Sequence, residues 1–128
     1  MPDYQIGVFA ITNKAKRKIA LVTSKTGQRW IFPKGHPEKG RSDEKIALEE
    51  AYEEAGLEGI LKSNPKDFEV SHGETKSLKL FCMKVEKELK NWPEKEDRKR
   101  AIVTIEEAEQ LLDKDLRACL KSMARKYL

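Results

Sequence analysis

Four glutamates, Glu49, Glu50, Glu53 and Glu54, fall within the stretch IALEEAYEEAGL, Ile46 to Leu57. On a helix, like charges four positions apart repel at a cost of a few tenths of a kcal/mol per pair. Glu49 with Glu53 and Glu50 with Glu54 therefore weaken such a helix unless a positive charge sits between them, and a metal ion is one such charge. At about 100° per residue, Glu50, Glu53 and Glu54 span an arc of about 100°, while Leu48, Ala51, Tyr52 and Ala55 cover the opposite side and are predicted to face a core. Carboxylates converging outward on one patch are hard oxygen ligands of the kind Mg²⁺ or Mn²⁺ takes, with waters and substrate phosphates completing the shell. Taken alone, the same residues also read as a solvated helix face with Lys neighbours, and the loop in front of them decides between the two.

The elements that must position these carboxylates follow from local patterning. YQIGVFAIT and KIALV are apolar, β-branched runs joined by NKAKR and predict two strands, hairpin-connected, with RWIF as a short third. In PKGHPEKGRSDE, Pro33, Gly35, Pro37 and Gly40 exclude regular structure. Ser42 or Asp43 then caps a helix that runs to Ala55 and stops at Gly56. SNPK predicts a turn, DFEVSH a weak strand with His72 in a turn ahead of Gly73, and SLKLFCMKV a strong strand with Leu78, Leu80 and Cys82 opposite Lys79, Phe81 and Met83. EKELKNWPEKEDRKR has 11 charged residues in 15 and predicts a solvated or substrate-facing loop, in which Trp92 and Pro93 either line a pocket or anchor the segment. AIVTI is a short strand, and the remainder has helical spacing, with Leu112, Leu116, Cys119, Leu120, Met123 and Tyr127 on one core-facing stripe.

Bulk properties agree with one globular unit. A chain of 128 residues, 38% hydrophobic and 38% charged, predicts a single globular domain over residues 1–128. Twenty-six Lys and Arg against 22 Asp and Glu leave +4, so an acidic partner is electrostatically the easier one. No apolar run approaches membrane-spanning length, and MPDYQIGVFA has neither the basic start nor the cleavage site of a signal peptide, which predicts a cytoplasmic protein with no membrane partner. Cys82 and Cys119, both in apolar surroundings, read as buried reduced thiols.

The loop and helix together read GHPEKGRSDEKIALEEAYEEAGL, Gly35 to Leu57, and here the chain resembles the Nudix hydrolases. Their signature runs Gly, five residues, Glu, seven residues, Arg-Glu, an aliphatic residue, any residue, Glu-Glu, any residue, Gly and an aliphatic residue. Gly35, Glu50, Ala51, Glu53, Glu54, Gly56 and Leu57 match it with the spacing kept throughout, and the resemblance extends through the flanking strands and late helices. It implies the α/β Nudix fold, an α/β/α sandwich with a mixed β-sheet between helices.

Two positions depart from the signature together. Arg41 stands where the family has its first Glu, and Glu49 where it has Arg, so the charges are exchanged. The exchange is expected to preserve a structural ion pair with its polarity reversed, while Glu49 adds negative charge beside Glu50. By resemblance, Glu50 and Glu54 ligate Mg²⁺ or Mn²⁺ together with the backbone carbonyl of Gly35. Glu53 ligates a second ion or acts as the base that deprotonates water, and Glu74, Glu94 and Glu96 are candidates for a further ligand. Hydrolysis of a phosphoanhydride needs these parts: an oriented water, a nearby base, and cations facing the phosphate oxygens.

The family implies a pyrophosphohydrolase. FPKGHPEKG, KLFCMKV and WPE followed by RKRAIVTIEEA look most like the branch that cleaves diphosphoinositol polyphosphates and dinucleoside polyphosphates. Lys34, His36, Lys39 and Arg41 surround the carboxylate patch in one loop, as suits a ligand with many phosphates, and Lys76, Lys79, Arg98 and Arg100 either add to it or are solvated charge. Members that act on diadenosine polyphosphates commonly carry a Tyr shortly past the motif, and HGETKS has no aromatic, which leans the expectation toward a non-adenine polyphosphorylated ligand. The reading from another class is a non-catalytic phosphate- or RNA-binding module of the same fold. Retention of Glu50, Glu53 and Glu54, which a polyanion binder has no need of, favours the enzyme, a monomer or homodimer with nucleic acid an unlikely partner.

Overall fold

The computed structural model describes residues 3–72 and 75–128. In chain order these form β1 (Tyr4–Asn13), β2 (Lys18–Thr23), β3 (Trp30–Ile31), β4 (Lys34–Gly35), α1 (Asp43–Ala55), β5 (Leu57–His72), β6 (Thr75–Glu88), β7 (Arg100–Thr104), α2 (Ile105–Leu111) and α3 (Lys114–Tyr127). One mixed sheet has the order β3-β2-β1-β6-β5, with β4 added to β1 and β7 to β2. Among the described residues only the central β1–β6 pairing is parallel, and the others are antiparallel.

Every residue of β1 from Gln5 to Ile11 is buried, so both faces of the sheet are covered. Helix α1 packs on β1, β4 and β5, and the α2–α3 pair packs through β2, β5 and β7. The α/β/α sandwich with a mixed sheet is thereby borne out. The same two-sided cover removes the alternation expected in β6, where Leu80, Phe81, Cys82 and Met83 are all buried. The stripe of α3 lies in the core as expected, Leu116 and Leu120 fully buried and Tyr127 packed at its edge. Both cysteines are buried free thiols. No helix among the described residues is long and apolar enough to cross a membrane.

The ends of α1 are set by short-range chemistry. The Ser42 hydroxyl accepts from Lys45 N–H at 3.2 Å and caps the first turn, with Asp43 and Glu44 facing the positive end of the helix dipole. At the other end Gly56 adopts φ +64° and donates its N–H back to Tyr52 O. A side chain there would meet both a left-handed backbone and the Trp92 ring, 2.6 Å from an ideal Cβ.

Four expectations are corrected. Leu48 and Tyr52 are exposed, and the buried face of α1 is Ile46, Ala47, Ala51, Glu54 and Ala55, because the helix is rotated so that its 47-51-55 row meets the sheet. Lys34 and Gly35 form regular structure after all, pairing with Gly7 and Ile6, and Val8 N–H donates to Pro33 O at 3.0 Å. Gly7 permits that approach, since a Cβ there would lie 3.2 Å from Pro33 O. SNPK is not a turn between elements but the irregular part of β5, whose register shifts between Lys62 and Lys66, so Pro65 owes no ladder hydrogen bond. That strand continues to His72, and β6 continues to Glu88, leaving 89–99 as the charged loop.

Candidate functional site

A cleft of about 370 Å³ opens where β4 meets α1, and Gly35, Glu50, Glu54 and Glu94 form its acidic wall. Lys25, Lys34, His36 and Arg98 also line it. The β4 pairing brings Gly35 to the side of α1, and the closeness is extreme. An ideal Cβ on Gly35 would stand 2.3 Å from Glu50 Oε1 and 2.7 Å from its Cγ, so the Glu50 side chain fills the space a larger residue would need.

Glu54 is the fixed member of the acidic set, only 5% exposed. One carboxylate oxygen accepts from the backbone N–H of Lys34 at 3.1 Å, and the other takes the Arg98 guanidinium at 3.1 Å. Arg98, itself buried, also donates to Glu94 at 2.8 Å and to Thr23 O at 3.0 Å. A buried carboxylate paired and hydrogen-bonded in this way is held in orientation while each oxygen keeps a second lone pair for another partner. Burial raises the pKa of Glu54 from the ordinary carboxylate range, against the opposing pull of Lys34 N–H and Arg98.

Glu50 and Glu54 line the same wall of the cleft. Burial pushes Glu50 up to about 8, helped by the charge of Glu54 and by those of Glu53 and Glu94. Carboxyl groups crowded enough to raise the proton affinity of one of them are a site where a cation belongs. The donors suit a divalent ion: hard oxygens, a glycine that lets a carboxylate lie against the main chain, and a basic wall opposite to receive phosphate. Among the described residues no three His, Cys, Asp or Glu side chains close into a complete ligand set.

The basic wall is organised by Gln5, a residue without a role in the sequence reading. Buried at the start of β1, it accepts through Oε1 from Lys34 Nζ at 2.5 Å and from Thr75 at 3.0 Å, and its Nε2 lies 3.3 Å from His36 Nε2. Burial lowers the Lys34 pKa, with Glu54 opposing. The signal in the sequence for Gln5 is its place as a lone polar residue just inside the apolar run YQIGVFAIT.

Other residues singled out from the sequence fall elsewhere. Glu53 is half-buried on α1 and does not line the cleft; its carbonyl accepts Glu94 N–H at 2.9 Å. Lys39 and Lys76 are exposed and off the cleft wall. Arg41 is also off it: both terminal nitrogens donate to the two oxygens of Glu49, and Nη1 donates to Glu38 at 3.2 Å. Lys79 pairs with Asp43 at 2.8 Å over the Tyr4 ring. Of the further ligand candidates, Glu94 lines the cleft, Glu96 does not, and Glu74 lies outside the described residues.

Trp92 anchors its loop instead of lining the cleft. Its indole N–H donates to Glu54 O at 3.0 Å, and the Arg100 guanidinium, 4.3 Å from the ring centroid, donates to Ala55 O at 2.8 Å. With Glu94 N–H on Glu53 O, loop 89–99 and the start of β7 satisfy the carbonyls that α1 leaves open at its C-terminal turn, where no basic side chain of its own stands.

The NUDIX domain family model matches residues 1–126, and the chain belongs to the Nudix family. It is 35% identical over 100 residues to Nudix hydrolase 16, mitochondrial, of Arabidopsis thaliana, covering 71% of this chain and 56% of that protein. Nudix hydrolase 12, mitochondrial, of the same plant is 31% identical over 106 residues, covering 75% and 52%. The chain thus spans about half the length of the curated relatives it matches. Among solved structures, C. elegans Ap4A hydrolase has the same fold, with a TM-score of 0.79 at 17% identity over 100% of both chains.

Proposed function

We propose that this chain is a divalent-metal-dependent pyrophosphohydrolase that cleaves a phosphoanhydride bond in a multiply phosphorylated substrate, of the diphosphoinositol polyphosphate or dinucleoside polyphosphate kind. The observation that carries the reading is the Glu50 and Glu54 pair set against Gly35 on one wall of a cleft whose other wall is cationic. Relatives named as hydrolases and an Ap4A hydrolase of the same fold support it.

Glu50, Glu54 and the Gly35 carbonyl would hold Mg²⁺ or Mn²⁺. When bound, the ion supplies charge that offsets developing negative charge on phosphate oxygens and makes a bound water more acidic. The chain's own residues do the rest. Arg98 and the Lys34 N–H keep Glu54 in one orientation. Gln5 holds the Lys34 ammonium at the cleft, where it and His36 meet substrate phosphates. Glu53, beside the pair on α1, takes the proton of the attacking water or ligates a second ion. Arg41 fixes the loop to the helix through Glu49, and Lys39 and Lys76 add long-range attraction for a polyanion.

The protein is proposed to act as one domain, monomer or homodimer, on a small molecule and not on nucleic acid. Two buried free thiols suit a reducing compartment, and we place it in the cytoplasm. The test is product release in Mg²⁺ from a panel of diphosphoinositol polyphosphates, diadenosine polyphosphates and nucleoside triphosphates. Turnover of one class, lost in EDTA, is the expected result. Binding of these ligands without turnover of any would replace the enzyme with a phosphate-binding module.

A further inference from the structure

At the opposite end of β1 from Gln5 lies a second cavity of about 350 Å³, lined by Lys14, Lys62, Lys84 and Lys126. Six residue steps along the strand take Gln5 to Ile11 on its wall, a span of about 20 Å. The two sites share no lining residue. The lysines come from four different elements: the β1–β2 turn, β5, β6 and α3. Among the described residues no acidic side chain lines the cavity. Around the acidic cleft and α1 the cations are answered by carboxylates, as in Arg41 with Glu49, Lys79 with Asp43, and Arg98 with Glu54 and Glu94. Here, among the described residues, the ammonium groups of Lys14, Lys62 and Lys84 have no hydrogen-bond or ion-pair partner.

We propose that this lysine-lined cavity binds a multiply phosphorylated small molecule at a site separate from the Glu50 and Glu54 cleft. Four ammonium groups gathered around one hollow repel each other, and a compact polyanion converts that repulsion into several charge-assisted contacts. Lysine suits the task, since each long stem can bring its point charge to a phosphate of any orientation. Ile11, Val85 and Tyr127 give the hollow an apolar side against which the body of a ligand rests, and the volume falls within the range of small-molecule sites. The field of the cluster is felt beneath it: burial pushes the Cys82 thiol up to about 11, and the charges of Lys62, Lys14 and Lys126 all pull against that rise.

The test uses inorganic tripolyphosphate in EDTA, which withholds any divalent ion from the Glu50 and Glu54 cleft, so its outcome is independent of catalysis, and binding at that cleft's own basic wall is told apart by where the shifts fall. Binding is followed by calorimetry and by amide chemical shifts of the full chain, wild type beside Lys62→Gln/Lys126→Gln and a control, Lys45→Gln/Lys114→Gln, which removes two exposed lysines elsewhere. The expected result is shift changes clustered around residues 11–14, 62, 84–85 and 126–127, with affinity reduced at least about tenfold in the first variant and little changed in the control. Shifts confined to the residues around Lys34 and Arg98, an equal loss in both variants, or no binding by wild type would overturn the proposal. All four substitutions are at exposed side chains, and matching melting temperatures verify that the folds compared are the same.

Discussion

Glu50 Oε1 occupies the space in which Gly35 would carry a side chain, 2.3 Å from an ideal Cβ, and the three nearest atoms to that position all belong to Glu50. The obstruction is a side chain and not backbone, so a methyl group at 35 moves the carboxylate and leaves the sheet intact. Gly35→Ala is therefore expected to melt within a few degrees of wild type while turnover falls on the order of 10²-fold, the scale of a 1 Å misplacement of a catalytic group. Circular dichroism and a turnover assay on the same preparation check both halves. A large loss of stability with activity per folded molecule retained would contradict it.

The contact between Arg41 and Glu49 is bidentate, and it joins the loop before α1 to the helix that carries the carboxylates. Both side chains are 35% exposed, which limits the coupling to about 0.5–1 kcal/mol. In a double-mutant cycle, Arg41→Glu and Glu49→Arg are each expected to destabilise, and the double exchange to recover most of the loss. Strict additivity of the two single effects would show that the pair is uncoupled.

The ion-free protein has a distinctive pH dependence. Glu50 is raised from 4.5 to about 8 in the folded state, so the native fold binds a proton there that the unfolded chain releases. Its contribution to stability is fully present below about pH 4.5 and is lost as pH rises through about 8. In EDTA, the melting temperature of wild type relative to Glu50→Gln is expected to fall between pH 5 and pH 9, and Mg²⁺ to restore wild type most strongly at the alkaline end. A difference that stays flat or rises with pH would refute this account of the pair.

Arg98 donates to Glu54, Glu94 and Thr23 O from a buried position. Arg98→Met leaves Glu54 buried with its main cationic partner gone, a change of about 3–5 kcal/mol when the carboxylate is ionised. Protonation of Glu54 relieves it, so urea denaturation is expected to show a larger loss at pH 8.5 than at pH 5.5. Equal losses at the two pH values would mean that charge on Glu54 is not what Arg98 compensates.

Much of this arrangement could be read from local chemistry. The cap at Ser42, the stop at Gly56 and the apolar stripe of α3 depend on neighbours in the chain, and each is where its residues place it. What could not be read is which way a helix is turned about its axis. Leu48 and Tyr52 make as apolar a face as Ala47 and Ala51, yet β4 and loop 89–99 pack so that Glu54 goes inward and Tyr52 faces solvent. The same limit hid the burial of Arg98, which from the sequence reads as a phosphate-facing or solvated charge of the loop and in the fold is buried on Glu54 and Thr23 O. Long-range pairing likewise decided β5, where a register shift absorbs the Pro65 segment that by itself reads as a turn.

The most direct test of the central claim is steady-state turnover of the best substrate of the panel, titrated with Mg²⁺, in wild type and in Glu50→Gln, Glu53→Gln and Glu54→Gln. Turnover that requires the ion and falls at least about 10²-fold in the Glu50 and Glu54 variants, with a weaker apparent Mg²⁺ affinity, is the predicted result. Turnover that persists in EDTA, or survives both substitutions, would place the chemistry outside the Glu50 and Glu54 cleft and contradict the account.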